Sequence, residues 1–267
     1  MATATAALDV GSLLRTWRER RRLTQMEVAL DAGISARHLS FVETGRSKPG
    51  REMLLGVTER LAIPYRERNE LLLAAGYAPA FPERSLEDPA LSPVRDALDR
   101  ILAAHDPYPG IVIDRAWNLV AANEAVSVMT ERFDMDASLL EAPINVMRVG
   151  LHPRGLAPYI VNLAHWRSHY LGRLAQQIAI TGDSELTALL DEVRGYPGGG
   201  EAAVQREVEA TEHLGPVRVV APDGGEWSFF GMFAGFDTPF EVTTSELALE
   251  LLFPADQVTQ QAFKKGD

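Results

Sequence analysis

Cysteine is absent from this chain. That excludes a disulfide framework and any thiolate metal site. No apolar stretch reaches the roughly 18 residues that a membrane-spanning helix needs, and the amino terminus has no apolar run with basic flanks. Neither a span nor a signal peptide is expected, so the sequence reads as cytoplasmic, without a membrane partner. Nucleotide and hydrolase signatures are missing too. There is no Gly-x-Gly-x-x-Gly and no Gly-x-Ser-x-Gly elbow, and Gly198-Gly199-Gly200 lacks the Lys-Ser/Thr that would grip phosphate. An enzyme is not expected, and no internal repeat is visible.

What is present divides unevenly. The 267 residues carry a net charge of −11. Residues 1–79 hold 12 Lys+Arg against 9 Asp+Glu, whereas residues 80–267 hold 14 against 28. A basic head on an acidic body suits a protein whose head meets a polyanion while its body stays off it. The length allows two domains.

The head is organised around residues 23–49. Thr24 with Glu27 three residues on forms a capping box, predicting a helix over 25–32 with Val28 and Ala29 inward. Gly33 supplies the positive φ of a tight turn, Ile34 plugs it, and Ser35 caps a second helix whose inner face is Leu39 and Val42, ended by Gly45. Helices are also expected over 10–21, 51–61 and 65–75, closing at Gly76 and the Pro79/Pro82 stretch. Two short helices about a Gly-centred turn are the arrangement that places a helix in the DNA major groove.

The pattern Arg18…Leu23-Thr24-Gln25…Ala29…Ala32-Gly33-Ile34-Ser35…Leu39-Ser40…Glu43…Gly45-Arg46…Pro49 resembles the XRE (Cro/repressor-type) helix-turn-helix family. The resemblance implies a five-helix, all-α, lambda-repressor-like domain over 1–80 that binds double-stranded DNA as a dimer on a near-palindromic operator. It implies a buried Arg18–Glu43 pair and base-facing Ser35, Ala36, Arg37 and Phe41, flanked by His38 and Ser40. Gln25 would hold a phosphate, and Arg46, Ser47 and Lys48 would touch backbone. Arg37 is the strong reader, since a guanidinium can bond guanine bidentately.

After a linker at 81–92 the character changes. A helix over 93–105 precedes strands at 111–113 and 117–121 and a helix over 123–133. Further helices are expected over 142–149, 155–181, 184–194 and 201–212. Strands follow at 217–221 and 226–236, with turns at 222–225 and 237–239. Residues 240–253 alternate Leu247, Leu249 and Leu251 with Glu246, Ala248 and Glu250, and end before Pro254, so they read as a strand. Five strands and the helices between them make an α+β domain with one antiparallel sheet. Strand 226–236 is apolar on both faces (Trp227, Phe229, Phe233; Phe230, Met232, Ala234), so both should be covered, one by helices and the other by a dimer partner or a ligand cavity.

Pro109 to Asn123, Asn145-Val146-Met147-Arg148, Leu151-His152-Pro153, Ile160-Val161-Asn162 and Ser228-Phe229-Phe230 through Phe253-Pro254-Ala255-Asp256 resemble the MmyB-like ligand-binding domain, which follows XRE modules in many bacterial regulators. The resemblance implies a PAS-like fold over 93–260 that binds a small, fatty-acid-like molecule and dimerises. A bound fatty acid or similar lipid-like effector is the one cofactor-like group expected. Candidate lining residues are Trp117, Asn123, Met129, Met147, Arg148, His152, Asn162, Trp166, Phe229 and Phe233. Arg148 would grip an acidic head, or else be satisfied by local carbonyls or Glu141. His165 and His169 stand at metal-ligand spacing, and His152 could supply a third ligand. The intervening Trp-Arg-Ser lacks the Glu of a His-Glu-x-x-His site, and such pairs more often cap, pack or face solvent, so no metal is expected. Two other readings of the chain remain open: a second domain that only dimerises, and an enzyme tethered to DNA.

Overall fold

The computed structural model describes residues 9–198, 215–221, 224–236 and 241–264. The expected helix over 201–212, turn residues 222–223 and the turn at 237–239 lie outside them. The chain forms two compact units, in the main residues up to Arg84 and residues from Ser85 on.

The first unit holds five helices: α1 Val10–Arg20, α2 Gln25–Asp31, α3 Ala36–Glu43, α4 Arg51–Arg60 and α5 Tyr65–Ala74. Helices α2 and α3 start at the caps read from sequence, and α1 starts at a further one, Asp9. The Asp9 side chain accepts from Ser12 N, Thr24 and Glu27 complete their reciprocal capping box, and Ser35 accepts from His38 N. One core joins all five, with Leu14, Leu39, Leu54 and Val57 fully buried at its centre. Gly11 sets how closely α1 meets α3: a Cβ there would lie 2.2 Å from the Val42 carbonyl oxygen.

The second unit is built on one antiparallel sheet with strand order β2-β1-β5-β4-β3. The strands are β1 Gly110–Ile113, β2 Leu119–Ala122, β3 Val217–Val220, β4 Glu226–Gly235 and β5 Ala248–Pro254. Its helices are α6 Ser92–His105, α7 Glu124–Thr130, α8 Val146–Leu151, α9 Leu163–Thr181, α10 Ser184–Arg194, α11 Val242–Ser245 and α12 Gln257–Lys264. Alternation along the strands sorts side chains to two faces. Val112, Leu249 and Leu251 pack with Leu98 and Leu102 of α6. Ile111, Ile113 and Ala248 pack with residues of α8, α9 and α10 on the other face.

Several boundaries differ from the sequence reading, each for a local reason. Residues 242–245 are helical and the strand begins at Ala248, after the backbone turns Glu246 N to Thr243 O and Leu247 N to Thr244 O. The 155–181 helix is two pieces, a 3-10 turn at Ala157–Tyr159 and then α9 from Leu163. Between them Val161 N donates to Arg218 O at 2.8 Å, and Asn162 bonds Pro216 O and Arg218 N on the way into β3. Helix α8 starts at Val146 rather than 142, behind Pro143 and capped by Asn145. Trp117 is not in a strand. Asp114 accepts from Ala116 N and Asn118 N, both at 2.8 Å, turning the chain so that Trp117 takes φ 66°. Helix α12, absent from the sequence reading, is started by Asp256, which accepts from Thr259 N.

The expectation that both faces of β4 are covered is corrected. Trp227 and Phe229 are buried, but Phe230 is 49% exposed and Met232 44%. With Phe253 of β5, opposite Phe230 in the ladder, they form an open apolar patch on the α6 side of the sheet.

Candidate functional site

In the first unit Arg18 ties the entry to α2 to the end of α3. Arg18 Nε and Nη2 donate to Glu43 at 2.7 and 2.8 Å, and Arg18 Nη1 donates to Leu23 O at 2.9 Å. The Glu43 carboxylate raises the Arg18 pKa further above its ordinary range. Gln25 donates to the same carboxylate at 2.8 Å, so its amide is engaged inside the fold and not presented alone to a phosphate. The α2–α3 turn uses φ +67° at Gly33, and the end of α3 uses +71° at Gly45, conformations that favour glycine.

Helix α3 then displays a short polar face. Ser35 and Arg37 are exposed, while Ala36, His38, Ser40 and Phe41 are half-buried. The Arg37 guanidinium lies 5.3 Å from the Phe41 ring centre, which pre-orients it. Ser47 N and Arg46 N both donate to Phe41 O, folding the loop that carries exposed Arg46 and Lys48 back against α3. Lys48 Nζ stands 5.3 Å from the Tyr77 ring centre. Arg37, Arg46 and Lys48 are the exposed cations that α3 and the loop after it carry.

In the second unit a cavity of about 330 Å³ lies between the sheet and helices α7, α8 and α9. Its walls are almost wholly apolar: Ile111 and Leu119 from the sheet, Val126 and Met129 from α7, Val146 and Val149 from α8, Trp166 from α9. Gly150 lets Trp166 lie against α8, since a Cβ there would meet its ring at 2.8 Å. Two polar groups enter. Glu250 sits at the middle of the central strand, between Ile111 and Phe233 across the ladders. Tyr170 Oη donates to Glu250 Oε1. Burial pushes the Glu250 carboxyl up to about 8, so it is mostly neutral at pH 7.

The ten residues expected to line a ligand site are not gathered together. Met129, Trp166 and Phe229 line the cavity. Phe233 lines an adjoining chamber together with Trp166 and Phe229. Trp117 and Met147 are core; Trp117 Nε1 donates to Gln177 at 2.8 Å. Asn123 accepts from Gly110 N at 3.0 Å and donates to the Leu102 and Tyr108 carbonyls. Asn162 ties α9 to β3. His152 Nδ1 accepts from Arg154 N, and its ring meets Tyr196 edge-on. Arg148 is bound bidentately to Glu192 at 2.8 and 2.7 Å, not to Glu141 or to carbonyls, and this raises the Arg148 pKa and lowers that of Glu192.

Tyr170, Glu250 and Arg173 were missed. The signal for Glu250 was there: a single carboxylate between leucines at an inward position of a strand. Arg173 gave no such signal, since it reads as one more polar residue beside His165 and His169 on α9. Among the described residues no group of three His, Asp or Glu side chains is placed to hold a metal, and no helix is long and apolar enough to cross a membrane.

Comparison with known proteins matches each unit separately. Residues 9–71 match the helix-turn-helix domain family, and residues 94–265 match the MmyB-like transcription regulator ligand binding domain. No curated protein matches the chain. Among solved structures it is similar to an RNA-binding light-oxygen-voltage receptor, at 16% identity over 99% of this chain and 67% of that one. The TM-score of that alignment is 0.25, too low to carry any argument. The five-helix unit with its exposed α3 and the cavity-bearing sheet domain thus fall under two matches that together span most of the chain: it belongs to the MmyB-like transcription regulators, DNA-binding proteins with a helix-turn-helix domain ahead of a ligand-binding domain.

Proposed function

We propose that this regulator is a cytoplasmic homodimer that reads a near-palindromic operator through α3 and is controlled by a small apolar, fatty-acid-like effector. The observation that carries the effector half is the cavity of about 330 Å³, which is apolar except for Tyr170, Glu250 and a few hydroxyls. Protein interiors are normally packed without voids larger than a water molecule. Its size and lining match those of small-molecule pockets.

On the DNA side, Arg37 is the direct reader, bidentate to a guanine, and Ala36 and Phe41 meet thymine methyls. Ser35, His38 and Ser40 flank them. Arg46, Ser47 and Lys48 face the backbone, and Gln25, whose amide is held by Glu43, braces the start of α2 behind them. One such unit reads too few bases for useful specificity, so two act together on half-sites about one helical turn apart. The second domain supplies the dimer contact, for which the exposed Phe230, Met232 and Phe253 patch is the natural surface. The effector acts by binding the DNA-competent and DNA-incompetent forms unequally.

The test is to delipidate the protein and titrate medium- and long-chain fatty acids while following thermal stability and operator binding. Stabilisation with altered operator affinity supports the proposal. Absence of stabilisation by any acid, with dimers still forming, leaves a second domain that only dimerises.

A further inference from the structure

Along α9, His165, His169, Arg173 and Gln176 recur at intervals of three or four, so they share one helix face. That face lines a second chamber of about 550 Å³. The chamber adjoins the apolar cavity: Trp166, Tyr170, Val217, Phe229, Glu250 and Leu252 line both.

Arg173 is the unusual group there. Its guanidinium lies 3.6 Å from the Phe233 ring centre. Its Nε is buried and has no hydrogen-bond partner. Among the described residues no carboxylate pairs with it, whereas Arg18, Arg115, Arg148 and Arg154 each have one. Burial lowers its pKa, yet a guanidinium remains charged at any physiological pH. Burial and the neighbouring Arg173 charge also lower the pKa of His169. A partly desolvated cation without a counter-ion is costly unless an anion meets it. Among the described residues the one acid in the chamber wall, Glu250, is mostly neutral near pH 7 and spends one oxygen on Tyr170.

We propose that the second chamber is the head-group site of the effector: an acidic head sits against Arg173, with His165 and His169 beside it, and the attached chain passes Tyr170 and Glu250 into the apolar cavity. This rests on the effector reading above and narrows it to a single-chain amphiphile whose head is an anion, such as a carboxylate. Apolar burial in the cavity supplies affinity. The charge-assisted bond to Arg173 supplies discrimination between an acid and a neutral analogue of the same chain.

The experiment uses the delipidated full-length protein, a fluorescent apolar probe, and decanoic acid and decanol as competitors. Wild type should bind the acid roughly tenfold or more tightly than the alcohol, the range of a hydrogen bond to a charged group. R173Q should lose that preference while keeping its affinity for the alcohol, and R173K should retain most of it. Arg148 is already paired outside the cavity, so R148A should behave as wild type. Melting curves without ligand check that each variant is folded. Equal binding of acid and alcohol by wild type, or a preference that survives R173Q, overturns the head-group site while leaving an apolar pocket. Binding of neither compound to wild type overturns the effector reading itself, and the head-group site with it.

Discussion

Replacing Glu250 with Gln tests the electrostatics of the cavity. The wild-type carboxyl has its pKa raised by burial from the ordinary 4.5 to about 8. Below about pH 4.5 it is protonated in folded and unfolded chains alike and contributes nothing. Between 4.5 and 8 the unfolded chain releases the proton while the folded chain keeps it, so stability falls as pH rises through that window. Above 8 the penalty is fully present. Each tenfold change in proton affinity is worth about 1.4 kcal/mol, so the penalty is roughly 3 kcal/mol at pH 7 and up to about 5 kcal/mol at pH 9. Glutamine keeps the shape and an acceptor for Tyr170 but does not ionise. Urea unfolding of delipidated wild type and E250Q, followed by tryptophan fluorescence, measures the difference; Trp117, Trp166 and Trp227 all report on the second unit. The stability advantage of E250Q over wild type should grow by about 3 kcal/mol or more between pH 5 and pH 9. Taking the difference between the two proteins cancels the titration of every other group. A difference that stays constant from pH 5 to 9 refutes a buried, neutral Glu250.

Other perturbations act on the first unit. Arg18→Ala leaves Glu43, whose side chain is 1% exposed, buried without its cation; urea unfolding should show a loss of about 3–5 kcal/mol. Gly11→Ala places a methyl 2.2 Å from the Val42 carbonyl and should cost about 1–3 kcal/mol or prevent folding of the unit, as read by its helical circular dichroism. Arg37→Ala should relax sequence choice at one base per half-site by about 1–3 kcal/mol in competition binding, with little change in non-specific affinity. An unchanged sequence preference would remove Arg37 from the reading role. Residues 1–80 alone should bind the operator more weakly than the full chain; equal affinity would place dimerisation outside the second domain.

The first unit was legible because its determinants are local. Thr24 with Glu27, Ser35, Gly33 and Gly45 act through backbone neighbours within a few residues, and the helices fall within a residue of the sequence reading. The sheet was legible as five strands because short apolar runs between turn residues mark β1 and β4, and alternation marks β5. The cavity was harder to read, because its lining comes from β1, α7, α8, α9 and β5, brought together by pairings that sequence spacing does not reveal. Arg148 looked like a cavity-mouth residue from its neighbours Val146 and Met147, yet Glu192, from α10, takes it. Asn123 and Asn162 are polar among apolar residues for a structural reason: each satisfies backbone groups of a neighbouring element. Glu250 was set aside as the polar half of an alternating strand, when the central position of β5 buries both of its faces.

The central claim is that occupancy of the cavity sets operator affinity. The most direct measurement is the affinity of the delipidated full-length protein for an operator selected from random duplexes, with and without saturating decanoic acid, for wild type and for Val126→Trp, whose added ring fills the cavity from α7. The account predicts a change of roughly fivefold or more in wild type, the usual scale of coupling between two sites, and no response in the filled variant. Equal operator affinity with and without the acid in wild type, or an undiminished response in Val126→Trp, would contradict it.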